Sequence, residues 1–400
     1  MSVLYISYDG LLEPLGQSQV LAYLKCLAQE RTIHLISFEK SDDWSRIVER
    51  QSLADDIAGA GIIWHPLRYH KKPTAFATLW DIACGLALGL WLVCRYQITI
   101  VHARSYVASV MALALKYITK VKYIFDMRGF WADERVDGGL WPKGGRLYRT
   151  AKWFERLFLL NADVVVSLTQ AAVNEMYTFP YLQGKMPVFE VITTCADLRL
   201  FQFVQTGGGQ PLNRPFTLGY VGSVGVWYLF DETLRCFQLL RELVPDARLY
   251  ILNRGGHEYI CDRIKARNID SDIVQIDATD QFGVARAMQE MDAGIFFIKP
   301  VFSKIASAPT KLGEFLGCGV PCLGNIGVGD MAAILVNEQV GVALTSFDED
   351  SMRKALKRLL KLTQTVGIKE RCREVALQYF SLDEGVRRYA SVYKQLDVSS

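Results

Sequence analysis

The fold of this chain is constrained most by an alternation of short apolar runs with longer segments of helical spacing. In the first half, the runs predicted as β-strands are Val3–Ser7, Ile33–Phe38, Gly61–His65, Thr99–His102, Lys122–Phe125, Asp163–Ser167 and Val188–Ile192. The helical segments are Ser18–Gln29, Ser45–Ala60, Phe76–Arg95, Tyr106–Thr119, Gly144–Leu160 and Gln170–Thr178. Such strand–helix repetition predicts a parallel sheet covered by helices on both faces.

A second series of the same kind follows a glycine-rich break, TGGGQP at 206–211. Its predicted strands are Phe216–Val221, Ala247–Leu252, Ile273–Ile276, Ala293–Ile298, Val320–Leu323 and Val342–Leu344. We therefore predict domains at 1–205 and 214–380, a linker at 206–213, and a terminal helix in 381–400 that packs towards the first domain. The predicted fold class is α/β, with two tandem doubly wound, Rossmann-like domains that face each other across a ligand-binding cleft.

Composition excludes some classes of function. The chain has 400 residues, with 45 basic and 42 acidic side chains, which argues against a nucleic-acid-binding protein. Its nine cysteines are scattered and are predicted to be free thiols in a reducing cytosol. The first residues read as a strand and not as a signal peptide, so we expect a cytoplasmic protein. No metal is predicted, because the acidic runs 42–43 and 348–350 lie in surface-like settings.

The segment from Phe297 to Asp330 has the residue types of a phosphate site. A strand is predicted to end near Ile298, and a helix to begin near Lys311. Free backbone N–H groups at a helix start attract a diphosphate, and Glu314, one turn further on, can accept hydrogen bonds from ribose hydroxyls. The polar candidates are Ser303, Lys304, Ser307, Thr310, Lys311 and Glu314. A solvated basic loop ahead of a capped helix is the alternative interpretation.

The run SAPTKLGEFLGCGVP, at 307–321, resembles the donor-binding segment of retaining GT-B glycosyltransferases of family 4. Further matches are YDGLLEPLGQSQV from Tyr8, FDMRGFWADERVDGGLW from Phe125, VITTCADLRLF from Val191 and GYVGSVGVWY from Gly219. The resemblance extends over nearly the whole chain. It implies a sugar-nucleotide-dependent enzyme with the GT-B fold.

On the donor side, the resemblance implies that Glu314 holds the nucleotide ribose, as the second Glu of the family's Glu-x7-Glu motif. Ala306 stands where the first Glu is expected, so this chain departs from the motif. The backbone at Gly222 and Ser223 is expected to approach the phosphates. The basic residues usual near that loop are absent, and the predicted replacements are Arg254, Lys304 and Lys311. Gly16, in the loop after the first strand, is expected to admit the donor phosphate, although a plain turn is the alternative.

On the acceptor side, the resemblance implies a block formed by Asp126, Arg128, Trp131 and Glu134. A salt-bridged structural loop is the alternative for this block. The candidates for catalysis are Lys311, Asp126 and His102, but a single histidine is also a common structural residue. No carboxylate pair is assignable as acid and nucleophile. The resemblance instead implies front-face transfer with retention, in which the leaving phosphate helps to deprotonate the acceptor.

Two segments suggest contact with a membrane. The stretch 74–94 is apolar except for Asp81, which disfavours a bilayer-spanning helix and favours a buried or membrane-resting one. The segment 144–160 places Arg146, Arg149, Lys152 and Arg156 among aromatic and aliphatic residues, a mixture that suits an anionic bilayer surface. Basic residues on an ordinary docked helix are the alternative. We therefore expect attachment to the inner face of the membrane and a lipid-linked acceptor.

Together these features predict a hexosyltransferase-like enzyme that moves a sugar from a nucleotide diphosphate sugar to a glycan in cell-surface polysaccharide biosynthesis. No cofactor is expected beyond the nucleotide sugar substrate. A GT-B sugar-nucleotide 2-epimerase is one alternative, but it needs cleft carboxylates and histidines, and the five histidines form no obvious cluster. A non-catalytic two-lobed binding protein is another. A nicotinamide dehydrogenase is disfavoured because no G-x-G-x-x-G opens either domain.

Overall fold

The computed structural model describes residues 2–203 and 214–398, without the side chains of Thr74 and Ala75. The chain forms two compact units, Met1–Thr193 with Gly385–Ser400, and Thr194–Glu384. The sequence had suggested that residues 194–203 belong to the first unit, but they belong to the second. Arg373 explains this, because its guanidinium donates to the carbonyl oxygens of Leu198 and Phe201 at 2.8 and 2.7 Å. The predicted linker, 206–213, lies outside the described residues.

The first unit is built on seven parallel strands within the described residues, in the order β3-β2-β1-β4-β5-β6-β7. The strands are β1 (Ser2–Ser7), β2 (Thr32–Glu39), β3 (Ile62–Arg68), β4 (Ile100–Arg104), β5 (Lys122–Asp126), β6 (Val164–Ser167) and β7 (Val188–Val191). The helices are α1 (Pro14–Gly16), α2 (Ala22–Leu27), α3 (Ser41–Trp44), α4 (Ile47–Gly59), α5 (Thr74–Tyr96), α6 (Ser105–Thr119), α7 (Trp131–Asp137), α8 (Arg146–Asn161) and α9 (Gln170–Met176). The strand order reverses between β1 and β4, which makes their carboxyl ends a topological switch point.

The second unit repeats this plan with six parallel strands in its described part, in the order β10-β9-β8-β11-β12-β13. The strands are β8 (Thr217–Val221), β9 (Arg248–Leu252), β10 (Val274–Asp277), β11 (Ala293–Ile295), β12 (Cys322–Asn325) and β13 (Gly341–Leu344). The helices are α10 (Phe230–Leu243), α11 (His257–Ala266), α12 (Gln281–Met288), α13 (Thr310–Gly317), α14 (Met331–Asn337), α15 (Glu349–Thr363) and α16 (Ile368–Phe380). The last helix, α17 (Leu382–Val398), belongs to the first unit from Gly385 onward. The predicted fold class, two doubly wound α/β domains, is confirmed.

The core of each unit follows from strands that are buried on both faces. All residues of β4 and β6 are buried, and apart from His102, Arg104 and Ser167 they are apolar, without the alternation of a half-exposed strand. Two adjacent residues that follow β11 pack against different parts of the core. Phe296 stacks on Phe315 of α13 with ring centroids 6.3 Å apart, whereas Phe297 meets Phe347 at 5.2 Å. The strands therefore carry polar groups mainly where they end.

Helix α5 has one face on the rest of the first unit and one face exposed. Its part Phe76–Tyr96 is long and apolar enough to cross a membrane by length and composition, and 33% of the most apolar window is buried. The buried face includes Asp81, whose carboxylate accepts hydrogen bonds from Tyr8 and His70. This packing gives the charged residue partners inside the unit, and the predicted contact of the helix with a membrane stays a prediction.

The loop after β1 is held by a buried carboxylate. Glu39, at the end of β2, accepts hydrogen bonds from the backbone N–H groups of Leu11 and Leu12 at 2.9 and 3.3 Å. The same loop is closed by Gly16, where an added Cβ would lie 2.1 Å from the carbonyl oxygen of Gly10. The structure thus supplies a packing reason for glycine at position 16, and its predicted contact with the donor stays a prediction.

This packing predicts opposite effects for two glycine substitutions. Gly16→Ala should destabilise the first unit by about 1–3 kcal/mol, because the added methyl group overlaps rigid backbone. Gly59→Ala, in α4, should be neutral or stabilising by up to about 1 kcal/mol, since its Cβ would meet nothing within 4 Å. Thermal unfolding monitored by circular dichroism measures both changes. An equal response of the two variants would contradict the packing argument.

Candidate functional site

The second unit contains a cavity of about 470 Å³ at the carboxyl ends of its central strands. Loops that follow β8, β9 and β10 form most of its wall, and the start of α13 contributes Lys311. The lining residues are Phe201, Val221, Gly222, Ser223, Val224, Leu252, Asn253, Arg254, Gly255, Gly256, Thr279, Gln281, Val284 and Lys311. Its position is where doubly wound folds bind ligands, and its size falls in the range of small-molecule sites.

The loop after β8 exposes backbone to this cavity. Gly222 and Gly225 adopt φ values of +139° and +93°, which favour glycine. An added Cβ at either position would meet nothing within 4 Å, so backbone conformation and not crowding requires the glycines. The structure places Gly222 and Ser223 on the cavity wall, as the predicted approach to the phosphates requires.

Asn253 connects two of the cavity loops, and this role was not predicted from the sequence. Its side-chain Nδ2 donates to the carbonyl oxygen of Gly222 at 2.7 Å. Its Oδ1 accepts from the backbone N–H groups of Gly255 and Gly256 at 3.0 and 2.5 Å. One buried amide therefore fixes the loop after β8 against the loop after β9. The only signal in the sequence was a polar residue directly after a predicted strand.

The predicted cations fall in different environments. Arg254 lies on the cavity wall, and its Nε donates to the carbonyl oxygen of Thr279 at 3.4 Å. Lys304 is buried, and its Nζ lies 3.9 Å from the ring centroid of Trp227. A cation over an indole face is a favourable contact by itself. The structure thus brings Arg254 to the cavity but gives Lys304 an aromatic partner in the protein, and its predicted diphosphate contact stays a prediction.

Lys311, which lines the cavity, forms an ion pair with Glu314, which is buried and is not among the lining residues. They lie one turn apart on α13, with Lys311 Nζ 2.5 Å from Glu314 Oε2. Burial raises the pKa of the Glu314 carboxyl above its ordinary value, while the charge of Lys311 opposes this. Of the three donors on the ammonium group, the carboxylate uses one, which leaves others for a ligand. Ser307 and Thr310 are partly exposed at the start of the same helix.

His102 and Asp126 are brought together in the first unit, but inside it. His102 Nε2 lies 3.5 Å from Asp126 Oδ2, and both side chains are 1% exposed. From α17, Tyr389 donates to Asp126 Oδ2 at 3.0 Å, and the hydroxyl of Tyr393 lies 2.7 Å from His102 Nδ1. The two side chains therefore fasten α17 to the sheet. A catalytic role would require that a substrate reach these buried side chains, so their predicted role stays a prediction.

Electrostatics keep this network in one protonation state. Burial lowers the pKa of His102, although Asp126 opposes the effect, so the ring is neutral at pH 7. Burial alone would raise the pKa of Asp126, but Arg128 and His102 hold it below its ordinary value. Asp126 is therefore a carboxylate, and Arg128 Nη1 lies 3.8 Å from its Oδ1.

The other acceptor-side candidates lie on the loop between β5 and α7. Arg128 has a left-handed backbone, with φ +59°, and is followed by Gly129 at φ +143°. Trp131 begins α7, and its ring lies 5.5 Å from the ring of Tyr106. Glu134, one turn later, is partly exposed. The four predicted residues thus lie between the end of β5 and the first turns of α7, although Asp126 faces the interior.

A family model matches part of the first unit. Residues 26–185 match the family model described as glycosyl transferase 4-like domain. This part of the chain is similar to that domain. The match covers less than half of the chain and lies within the first unit. No curated protein matches the chain.

Solved structures match the whole chain in fold. Sucrose-phosphate synthase from Thermosynechococcus elongatus has a TM-score of 0.70 at 14% identity, over 100% of both chains. A glycosyltransferase from Rickettsia africae has a TM-score of 0.70 at 15% identity, over 100% of this chain and 99% of the other. Anabaena HepE, in complex with UDP and glucose, has a TM-score of 0.68 at 14% identity, over 99% and 100%. With the family domain, these similarities confirm the predicted resemblance to GT-B glycosyltransferases.

The contacts of Asn253 yield a prediction about the cavity. Asn253→Ala should destabilise the second unit by about 1–3 kcal/mol, because three backbone polar groups lose their partner. Asn253→Asp should be at least as damaging, since its carboxylate still accepts from Gly255 and Gly256 but the oxygen that replaces Nδ2 faces the carbonyl oxygen of Gly222 with no proton between them. Denaturant unfolding measures both values. The expected order fails if Asp is the milder substitution or if neither change alters stability.

Proposed function

We propose that this protein transfers a sugar from a nucleotide diphosphate sugar to a glycan acceptor, with retention of configuration. The observation that carries the proposal is the cavity of the second unit, where glycine-bearing loops and a lysine meet at the carboxyl ends of β8 and β9. The family domain gives independent support for a glycosyltransferase. HepE, which shares the fold, was solved with UDP and with UDP-glucose, which is consistent with a nucleotide sugar in this cavity.

The chemistry of the cavity suits a diphosphate leaving group. The N–H of Gly222 donates to the carbonyl oxygen of Leu252 at 3.1 Å, so the proposed backbone donor on this loop is the N–H of Ser223. Lys311 adds positive charge to the cavity wall, and charge on the leaving phosphate grows as the bond to the sugar breaks. Glu314, next to Lys311, is the proposed partner of the ribose hydroxyls. In front-face transfer, the departing phosphate oxygen accepts the proton of the acceptor hydroxyl as the new glycosidic bond forms.

The donor site can be tested by nucleotide binding and turnover. Thermal-shift measurements with UDP-, GDP- and dTDP-sugars should identify one stabilising nucleotide. For that nucleotide, Glu314→Ala should weaken binding about tenfold by calorimetry, since a hydrogen-bonding carboxylate is lost. Lys311→Ala should lower kcat about 100-fold, because its charge stabilises the leaving group most in the transition state.

Lys354→Ala, on the exposed face of α15, is the matched control and should change neither quantity. Normal binding and turnover in both cavity variants would exclude this donor site. Conversion of the sugar nucleotide without any acceptor, with epimerised sugar as the product, would favour the epimerase alternative.

We further propose that the first unit rests on an anionic membrane surface and that its acceptor is lipid-linked. On the outer face of α5, Phe76, Leu79, Trp80 and Trp91 are 75%, 62%, 62% and 54% exposed. Exposed apolar side chains aligned on one helix are unusual in a protein that contacts only water. This surface suits the interfacial region of a bilayer, where tryptophan is enriched.

Helix α8 supports the same orientation. Its exposed face carries Arg146, Arg149 and Arg156 beside Trp153, which is 55% exposed. Lys152, predicted with these basic residues, instead turns inward and pairs with Asp133 at 3.0 Å. Right-handed crossovers place α5, α6 and α8 on one side of the sheet, so the apolar and basic surfaces face the same way. Attachment at the cytoplasmic face and a role in cell-surface polysaccharide synthesis follow as parts of this proposal.

Vesicle sedimentation tests the membrane proposal. The protein should sediment with vesicles that contain phosphatidylglycerol and much less with pure phosphatidylcholine, because three exposed arginines favour anionic lipid. Trp80→Ser with Trp91→Ser should reduce binding about tenfold or more, since each loses a large interfacial side chain. Trp44→Ser, in α3, is the control and should bind like the wild type. Equal binding of all variants would exclude α5 as the contact.

A further inference from the structure

A histidine–aspartate pair with no assigned role lies at the carboxyl ends of β1 and β3. Asp81 projects from the buried face of α5 and is 1% exposed. His70 follows β3, and its Nδ1 lies 2.6 Å from Asp81 Oδ1. Tyr8 follows β1, and its hydroxyl donates to Asp81 Oδ2 at 2.8 Å. Three elements that are distant in sequence thus meet at one carboxylate.

The hydrogen bonds determine which nitrogen of His70 carries the proton. The backbone N–H of His70 also donates to Asp81 Oδ2, at 3.1 Å. Since the carboxylate can only accept, Nδ1 of the neutral ring must be the donor, and Nε2 then presents a lone pair. The side chain of His70 is 40% exposed. Because its Nδ1 edge faces buried Asp81, the exposed part of the ring is the edge that carries Nε2.

The surroundings of His70 combine aromatic rings with hydrogen-bond acceptors. The ring of Tyr8 lies 4.9 Å from Phe38 and meets the ring of Tyr69 edge-on at 5.5 Å. Tyr8 and Tyr69 are both partly exposed. Asp9, next to Tyr8 in sequence, has a carboxylate that lies 3.4 Å from Arg104 Nε and is 46% exposed. Apolar faces beside acceptors of hydroxyl protons match the two sides of a sugar ring.

We propose that His70 binds a hydroxyl group of a sugar or similar polyol at the carboxyl edge of the first unit, through Nε2. Asp81 and Tyr8 are positioning residues, which fix the ring and its tautomer. The edge is the one at which doubly wound folds bind ligands, and it adjoins the switch point between β1 and β4. This proposal rests on the proposed glycosyltransferase function, because it places part of the acceptor there.

A purely structural role for the same pair predicts a different dependence on the two ring nitrogens. If His70 only fastens α5 to the strand ends, its role depends on the contact of Nδ1 with Asp81 alone. If it also binds a hydroxyl group, ligand affinity depends on Nε2 as well. His70→Asn separates the two roles, because the asparagine amide reaches Asp81 from the position of Nδ1 and offers nothing at the position of Nε2. His70→Ala removes both contacts.

Imidazole NMR provides a test that needs no turnover. With five histidines in the chain, the His70 signals can be assigned by their loss in His70→Asn. In the full-length protein, His70 should show the Nδ1–H tautomer. Methyl glycosides of glucose, galactose, mannose and N-acetylglucosamine are the probes, and at least one should shift the Nε2 resonance. Inorganic phosphate should not shift it.

Affinity for the responding glycoside should fall about five- to tenfold in His70→Asn, the loss expected for one hydrogen bond, with an unchanged melting temperature. Tyr8→Phe should weaken binding less, because Asp81 still holds the ring. Wild-type affinity in His70→Asn, a response only to phosphate, or no response to any glycoside would overturn the proposal. Nucleotide binding by the same samples reports separately on the donor site, so failure of one proposal is distinguishable from failure of the other.

Discussion

The candidate sites depend on one constraint, namely that parallel strands buried on both faces can offer polar groups only at their ends. β4 is buried along its whole length and ends at Arg104, and β5 ends at Asp126. In the second unit, β9 ends at Leu252, directly before Asn253. All strands of a parallel sheet end at the same edge, so residues far apart in sequence meet there. The apolar pattern that builds the two cores therefore also positions the polar residues.

The two units use buried charge differently at these edges. In the first unit, Asp126 is enclosed by His102, Arg128 and Tyr389, and the network is nearly closed to solvent. A closed network specifies the position of α17 but has little access to a ligand. In the second unit, Lys311 of the Lys311–Glu314 pair lines a cavity, so the lysine can bind both its partner and an anion. His70 in the first unit resembles this second arrangement, with one edge fixed and one edge exposed.

The sequence predicted the fold well because the strands are continuous apolar runs and the longer helices have clear apolar spacing. The short helices α3, α7 and α14 were missed, since four to seven residues give too few repeats to establish a period. The glycine loop at Gly222 was identified and lies on the cavity wall.

Other features of the sites could not be predicted, because side-chain direction depends on tertiary contacts. Lys152 was predicted to face a membrane surface and Lys304 to contact a diphosphate, but each has a partner from elsewhere in its unit. The contact between Tyr8 and Asp81 joins residues 73 positions apart, and no local pattern marks such a pair. For the same reason, the boundary at Thr193 follows contacts of α16 that are invisible in the linker composition.

The proposed site for the nucleotide sugar is the cavity of the second unit that is lined by Gly222 and Lys311. A crystal structure with the nucleoside diphosphate that stabilises the protein most would test it directly. We predict the diphosphate within hydrogen-bond distance of the Gly222–Ser223 backbone and of Lys311 Nζ, with the ribose near Glu314. A nucleotide bound in the first unit, or in the second unit away from these residues, would contradict the account.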